Sequence, residues 1–266
     1  MRVIESHSTM TKYKYYDNEN KKHYHELNGE PLLGTSTVTK VFPKVLTYWA
    51  SGLACETMGW VNPKNAPLEA RIATIEPVLA EIRGYTPEQY LARLDKAYKA
   101  HAQRLTDTAE AGTDLHAILE HYVKTGEVKD DKILPFVNWA KENVKRYLWS
   151  EAHCYSEKLW TGGISDVGAE LNTGEYVIID FKSAKDVYYS QFVQCALYAI
   201  QVEENGLFDK DGNQIGKLEK PISGVCVVPF GAKVVEPKFN WDIEELKTSA
   251  TLATNLYKIL NKNNAI

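Results

Sequence analysis

The sequence predicts an α/β fold, a mixed β-sheet flanked by helices, with a helix-rich N-terminal part. Three observations carry this expectation. Residues 66–124 repeat apolar side chains every three to four positions, the period of an amphipathic helix. Residues 153–183 switch to β-rich runs punctuated by glycine turns. From residue 186 on, helix, hairpin, strands and a closing helix alternate, which lays helices against a sheet. The 266 residues, 44% hydrophobic and 25% charged, suit one large domain with a real core. The expected division is a single domain, with 1–110 as an N-terminal hairpin and helical elaboration and 111–266 as the core.

Taken in order, TKYKYYDNENKKHYHELN (11–28) reads as a hairpin, with Tyr-rich strands around the turn-forming DNENKK. GTSTVTKVFPK (34–44) starts β-like and meets Pro43; LTYWASGLACETMGWV (46–61) sets Leu46, Trp49 and Leu53 at helical spacing. PLEARIATIEPVLAEIRGY and TPEQYLARLDKAYKAHAQRL predict two amphipathic helices, the second opened by Thr86 as N-cap and Pro87 at the first helical position. AGTDLHAILEHYVKTG predicts a helix stopped by Gly126, and LPFVNWAKENVKRYLW (134–149) another. Residues 153–183 read as three strands joined by turns, and 186–204 as helix. FDKDGNQIGKL (208–218) is a polar hairpin, ISGVCVVPF (222–230) and KVVEPKF (233–239) are strands, and residues 243–263 form the closing helix.

Composition narrows the function. A net charge of -4 counts against a broad phosphate-binding surface, while allowing a local basic groove or carboxylates that await cations. The four cysteines stand far apart without a CxxC pair, against iron–sulfur or structural zinc sites. The run MRVIESHSTMTKYKYYD has no apolar signal core, and no stretch of about 18 apolar residues occurs. The expectation is a soluble cytoplasmic protein with no membrane association. Asp209-x-Asp211-x-Asn213 resembles the start of a calcium loop, but Gln214 stands where glycine is needed and Lys220 where glutamate is needed, so DGN is read as a hairpin turn.

The chemistry concentrates in residues 166–182. With Asn172-Thr173-Gly174 as a three-residue loop and Gly174 in the left-handed region, Leu171 pairs with Glu175, and the ladder brings Asp166 opposite Asp180. Opposed residues on antiparallel strands share a face, with Cβ atoms roughly 5 Å apart. Lys182, two residues past Asp180, shares that face. A one-residue slip would separate them. Two carboxylates so close need a shared proton or a cation. Mg²⁺ or Mn²⁺ takes oxygen ligands, acidifies bound water and neutralises charge on a phosphate. A lysine alongside orients the water or stabilises the transition state. These are the parts needed to hydrolyse a phosphodiester. A D-x-K on a strand is more often a surface ion pair, but the apolar YVII (176–179) before it argues that Asp180 ends a buried strand, where an unpaired acid is costly.

Ser156-Glu157, GGISD (162–166), IIDFK (178–182) and QFVQCALY (191–198), in that order, resemble the RecB-like exonuclease branch of the PD-(D/E)XK nuclease superfamily. AGTDLHAILEHYV (111–123) is similar to that branch's G-x-x-x-H helix. GTSTVTKVF and LTYWA (34–50) are similar to the entry segment of phage and mitochondrial genome maintenance exonucleases. The resemblance implies a restriction-endonuclease-like sheet and a DNA exonuclease using one or two Mg²⁺ or Mn²⁺ ions. It implies Asp166 and Asp180 as metal ligands and Lys182 as the catalytic lysine. It adds the Phe181 carbonyl as a further ligand and His116 as the histidine completing the metal site. Glu157 matches the acid preceding the GxxD strand. Gln191 and Tyr198 match the Q-x(6)-Y helix that contacts DNA, and Gln194 extends that face. DNA is the implied partner, with replication or recombination proteins as further ones by analogy with phage enzymes. The chain lacks the cysteine spacing of the iron–sulfur branch.

Two rivals remain at this stage: a structure-specific endonuclease on the same core, and a non-catalytic DNA-binding or recombination accessory protein. Lys141, Lys145, Arg146 and Lys185 are candidate phosphate contacts, though such charges are most often a solvated face. Tyr48, Trp49, Trp60 and Tyr85 suit either base stacking or core packing. Thr35, Ser36 and Thr37 suit either phosphate contact or a strand.

Overall fold

The computed structural model describes residues 12–17, 23–42 and 47–262; the side chains at 23, 47 and 108–111 lie outside that description. The chain adopts the expected α/β class. Among the described residues are seven α-helices, a mixed eight-stranded sheet and a separate three-stranded sheet. They fall into two compact units: Pro43–Asp114, and the residues up to Phe42 together with those from Leu115 onward. The N-terminal hairpin therefore belongs with the sheet, not with a helical elaboration ending near 110.

In the helical unit, α2 (Thr47–Thr57), α3 (Leu68–Ile82) and the first part of α4 (Pro87–Thr125) are tied by Arg93. Its guanidinium donates to Glu81 Oε2 (3.1 Å), the Tyr85 hydroxyl (3.2 Å) and the Thr57 carbonyl (3.2 Å). Thr86 and Gln89 cap α4 reciprocally, the hydroxyl accepting from the Gln89 N–H and the amide oxygen from the Thr86 N–H. The two helical runs expected over 86–126 are one helix of 39 residues. It stops at Gly126 as expected, with φ +76 and its N–H on the Tyr122 carbonyl.

In the sheet unit, β1 (Tyr13–Asp17) and β2 (His23–Leu27) form the expected hairpin, whose turn residues 18–22 lie outside the described residues. β3 (Glu30–Pro31) extends it. β4 (Leu33–Gly34) pairs parallel with the start of β6 (Thr161–Leu171). Of the stretch expected to start as a strand at 34, only Gly34 does so. α1 (Thr35–Val38) and a 3-10 turn follow, because buried Thr35 makes its bonds through its side chain: Oγ1 donates to the Gly162 carbonyl and accepts from Gln201 Nε2.

The helix expected over 134–149 ends early. α5 (Leu134–Asn143) gives way to β5 (Val144–Ser156). Asn172, in the turn after β6, takes the carbonyls that would have continued the helix: its N–H donates to Asn143 and its Nδ2 to Glu142, each at 2.8 Å. The main sheet runs β11 (Lys238–Asn240), β10 (Ile222–Pro229), β7 (Tyr176–Lys182), β6, β5, β8 (Leu207–Phe208), β9 (Gln214–Gly216). The strand expected over 233–239 shrinks to β11, since Pro237 has no N–H to give a ladder.

β7 and β10 are parallel and buried on both faces, which explains their continuous apolar runs. Ile178, Val225 and Val227 pack under α6 (Tyr189–Asn205) and α7 (Ile243–Lys262). Val177, Ile179, Phe181 and Val228 pack on the opposite face, against Leu119 of α4 and Phe136 of α5. Each such side chain contributes about 1.5–3 kcal/mol by burial.

Candidate functional site

The β6–β7 ladder has the register expected from the turn. Val167 lies opposite Ile179 and Glu170 opposite Tyr176. Gly174, at φ +99, closes the loop with its N–H on the Leu171 carbonyl. The ladder stops at Val167 and Ile179, and Asp166 and Asp180 follow at the next position without pairing. The Phe181 N–H donates instead to Asp166 Oδ2 at 2.8 Å. β4 rejoins β6 only at Thr161 and Gly162, so residues 163–166 have no strand partner on the side away from β5 among the described residues. The acids stand at the mouth of this notch.

Both acids are buried. Lys182 Nζ lies 2.9 Å from Asp180 Oδ1 and 2.8 Å from Oδ2, but only Oδ1 has hydrogen-bond geometry, leaving Oδ2 buried without a donor. His116, on α4, places Nε2 2.9 Å from the Phe181 carbonyl. A carbonyl only accepts, so Nε2 carries a proton. Nδ1 then faces Asp166 Oδ2 at 3.6 Å and Glu151 Oε1 at 3.7 Å. The Phe181 carbonyl, expected as a metal ligand, is thus engaged in orienting the imidazole.

Glu151 is the site residue that sequence reasoning missed. Ser150 pairs with Val167 and Ala152 with Ser165, which sets Glu151 opposite Asp166. Its φ of +50 is uncommon for a residue with a Cβ. The inside-outside alternation breaks at this rung. Ser165, whose hydroxyl accepts from Trp149 Nε1, and Gly168, where a Cβ would fall 2.2 Å from the Trp149 ring, face the same indole although three residues apart. His116, Glu151 and Asp166 offer ligand atoms within 4.8 Å of one another. The available signal was a second Ser-Glu pair, Ser150-Glu151, upstream of Ser156-Glu157. Glu157 itself is exposed in the β5–β6 turn, where Glu204 accepts from its N–H, from the Lys158 N–H and from the Ser156 hydroxyl. Five residues of β6, about 17 Å, separate that turn from Asp166, so the structure does not bring Glu157 to the cluster.

The charges are strongly coupled. Burial pushes the Asp180 carboxyl up to about 6 against the pull of Lys182, and Asp166 adds to the rise. Burial raises Asp166 too, opposed by His116 and Lys182. Burial alone would lower His116 and Lys182, but the surrounding acids outweigh it; His116 rises to about 9 and Lys182 stays protonated. With His116 and Lys182 both cations, the three carboxylates still outnumber the positive charges, and two of them are buried. Carboxylate oxygens with one imidazole nitrogen, and no thiolate, suit a hard divalent cation such as Mg²⁺ or Mn²⁺.

On α6, Gln194 Nε2 donates to the Tyr198 hydroxyl at 3.0 Å. Gln191 instead caps the helix, its Oε1 accepting from the Tyr188 N–H at 2.9 Å. The expected trio therefore divides into a Gln194–Tyr198 pair and a cap. Tyr198 packs where Gly163 lacks a side chain: a Cβ there would fall 2.7 Å from its ring and 2.6 Å from Thr35 Oγ1. Burial, then the charges of Asp166 and Asp180, hold its phenol far above the ordinary range. One turn further on, fully buried Gln201 donates to Thr35 and Thr161 and accepts from Cys154, a polar network that sequence reasoning also missed.

Lys145 and Arg146 lie on β5 and hold Glu170 at 2.8 and 2.6 Å; their hydrogen bonds lower its carboxyl to about 2. Lys141 and Lys185 are exposed. In the helical unit, Tyr48 and Trp49 are exposed and Tyr85 bonds Glu81. Asp209 caps its hairpin turn, accepting from the N–H groups of Asp211 and Asn213, as a turn reading requires. No described helix is long and apolar enough to cross a membrane. No protein-family model matches the chain, and no curated protein matches it in sequence.

Proposed function

We propose that this chain is a metal-dependent deoxyribonuclease, an exonuclease acting on free-ended or single-stranded DNA. The observation that carries the reading is the cluster of His116, Glu151 and buried Asp166, with buried Asp180 held by Lys182 at the next position and one Asp180 oxygen lacking a donor. Glu151, Asp166, Asp180 and His116 Nδ1 would hold Mg²⁺ or Mn²⁺. When bound, such an ion supplies an acidified water and neutralises charge developing on the phosphate.

The chain's own groups supply the rest. Asp166 is held by the Phe181 N–H and Asp180 by Lys182, so the site costs little reorganisation. Lys182 remains a cation next to them and is placed to stabilise charge on the attacked phosphate. His116 is oriented by the Phe181 carbonyl, and the Gln194–Tyr198 pair forms the wall beside the acids.

The test is digestion of linear single-stranded DNA in Mg²⁺ by wild type, Lys182→Ala and Asp180→Ala. Activity in the wild type that falls by at least about 100-fold in both variants is expected, the scale of removing one transition-state group. Equal digestion by all three would discard the assignment.

A further inference from the structure

Beside the acids, the start of α1, β2 and the open stretch of β6 enclose a cavity of about 420 Å³. Leu32 and Ile164 give it aliphatic lining, and His25, Thr35 and Ser36 line it with polar side chains. Gln194 and Tyr198 form the side toward the acids. Ile164 stands two residues, about 7 Å along the strand, from Asp166. Tyr24 is at the rim, 42% exposed, its ring stacked on Tyr16 with centroids 4.8 Å apart. Thr37 brings a hydroxyl, and Gln194, whose Nε2 serves Tyr198, keeps an amide oxygen to accept from a ligand.

We propose that this cavity takes one unpaired nucleobase of a DNA strand whose neighbouring phosphate lies at the acidic cluster. The proposal rests on the nuclease reading of that cluster. Cavities of this size hold small organic groups. Aliphatic side chains, a half-exposed aromatic ring and polar groups together match a flat heteroaromatic base with a polar edge. Stacking of this kind is sequence-tolerant, since every base has a π-face. A base still paired to its complement does not enter, so the cavity selects single strands and frayed ends.

The experiment places 2-aminopurine at each position in turn along a short single-stranded oligonucleotide and reads its fluorescence on binding in Ca²⁺. The expected result is a change confined to one position near the strand end, abolished in Ser36→Trp, which sets a bulky ring in the lining of the cavity. Tyr24→Ala, at the exposed rim, is expected to weaken oligonucleotide binding about tenfold and provides a second arm should Ser36→Trp misfold. A fluorescence change at no single position, or one that survives both substitutions, overturns the proposal. Hydrolysis of bis(p-nitrophenyl) phosphate by the wild type in Mn²⁺ reads the nuclease assignment separately, because that substrate has no base. Its absence would overturn that assignment while the fluorescence still decides the cavity.

Discussion

Replacing Asp180 by asparagine should strengthen the metal-free fold and remove its response to divalent ions. Asp180 is 1% exposed, one of its oxygens lacks a donor, and its carboxyl is pushed from 3.8 up to about 6. A raised carboxyl means that the folded state disfavours the anion relative to the unfolded chain. At ~1.4 kcal/mol per pH unit, that rise corresponds to ~3 kcal/mol at pH 7, with the attraction of Lys182 already included. Asparagine keeps the shape and removes the charge. In EDTA the variant is expected to gain about 1–3 kcal/mol, or about 2–10 °C in Tm for a chain of this size. The wild type is expected to gain stability with Mg²⁺ or Mn²⁺, by about 2.7 kcal/mol at 100 times Kd, and the variant to gain little. Thermal unfolding of both proteins in EDTA, Mg²⁺ and Mn²⁺ reads both effects. A variant less stable than wild type in EDTA, or one that responds to Mn²⁺ as wild type does, refutes the reasoning.

Glu151→Gln is expected to weaken Mn²⁺ binding by more than the roughly 10–100-fold typical of an outer partner of a metal site, whereas Glu157→Gln leaves it unchanged; calorimetric titration of the two variants separates them. The metal-free protein is expected to lose stability as pH rises from about 4 to 9. Between 3.8 and about 6 the folded state alone keeps the Asp180 proton, and the stabilisation from His116, raised from 6.5 to about 9, is complete below 6.5 and lost as pH passes 9. His116→Gln flattens the upper part of that decline in a Tm series measured in EDTA. Gly163→Ala drives a methyl into Thr35 and Tyr198 and is expected to cost about 1–3 kcal/mol by overpacking, read by denaturant unfolding.

The central rung of the site was legible because a local signal governs it. Gly174 in the left-handed region defines the loop, the loop defines the register, and the register, paired as far as Val167 and Ile179, leads to Asp166 and Asp180 at the next position. Glu151 was not legible, because its place depends on a positive φ that no residue type announces. Val144 and Tyr147 continue the helical spacing of Phe136, Val137 and Ala140, so the end of α5 could not be read locally. Asn172, nearly thirty residues away, ends that helix by taking its last carbonyls. The short α1 depends likewise on Gln201, far along the chain, reaching Thr35. The spacing of Gln191, Gln194 and Tyr198 on one helical face was readable, but not that Gln191 is used up as a cap. What pattern and turn chemistry determine was visible; what distant side chains determine was not.

The most direct test is a time course with end-labelled linear single-stranded DNA, matched duplex and single-stranded circle, each in Mg²⁺, Mn²⁺ and EDTA. The account predicts that linear strands are degraded in either metal, that EDTA abolishes the reaction, and that circles survive. Metal-dependent cutting of circles would contradict the exonuclease assignment, and DNA left intact in every metal would contradict the nuclease itself.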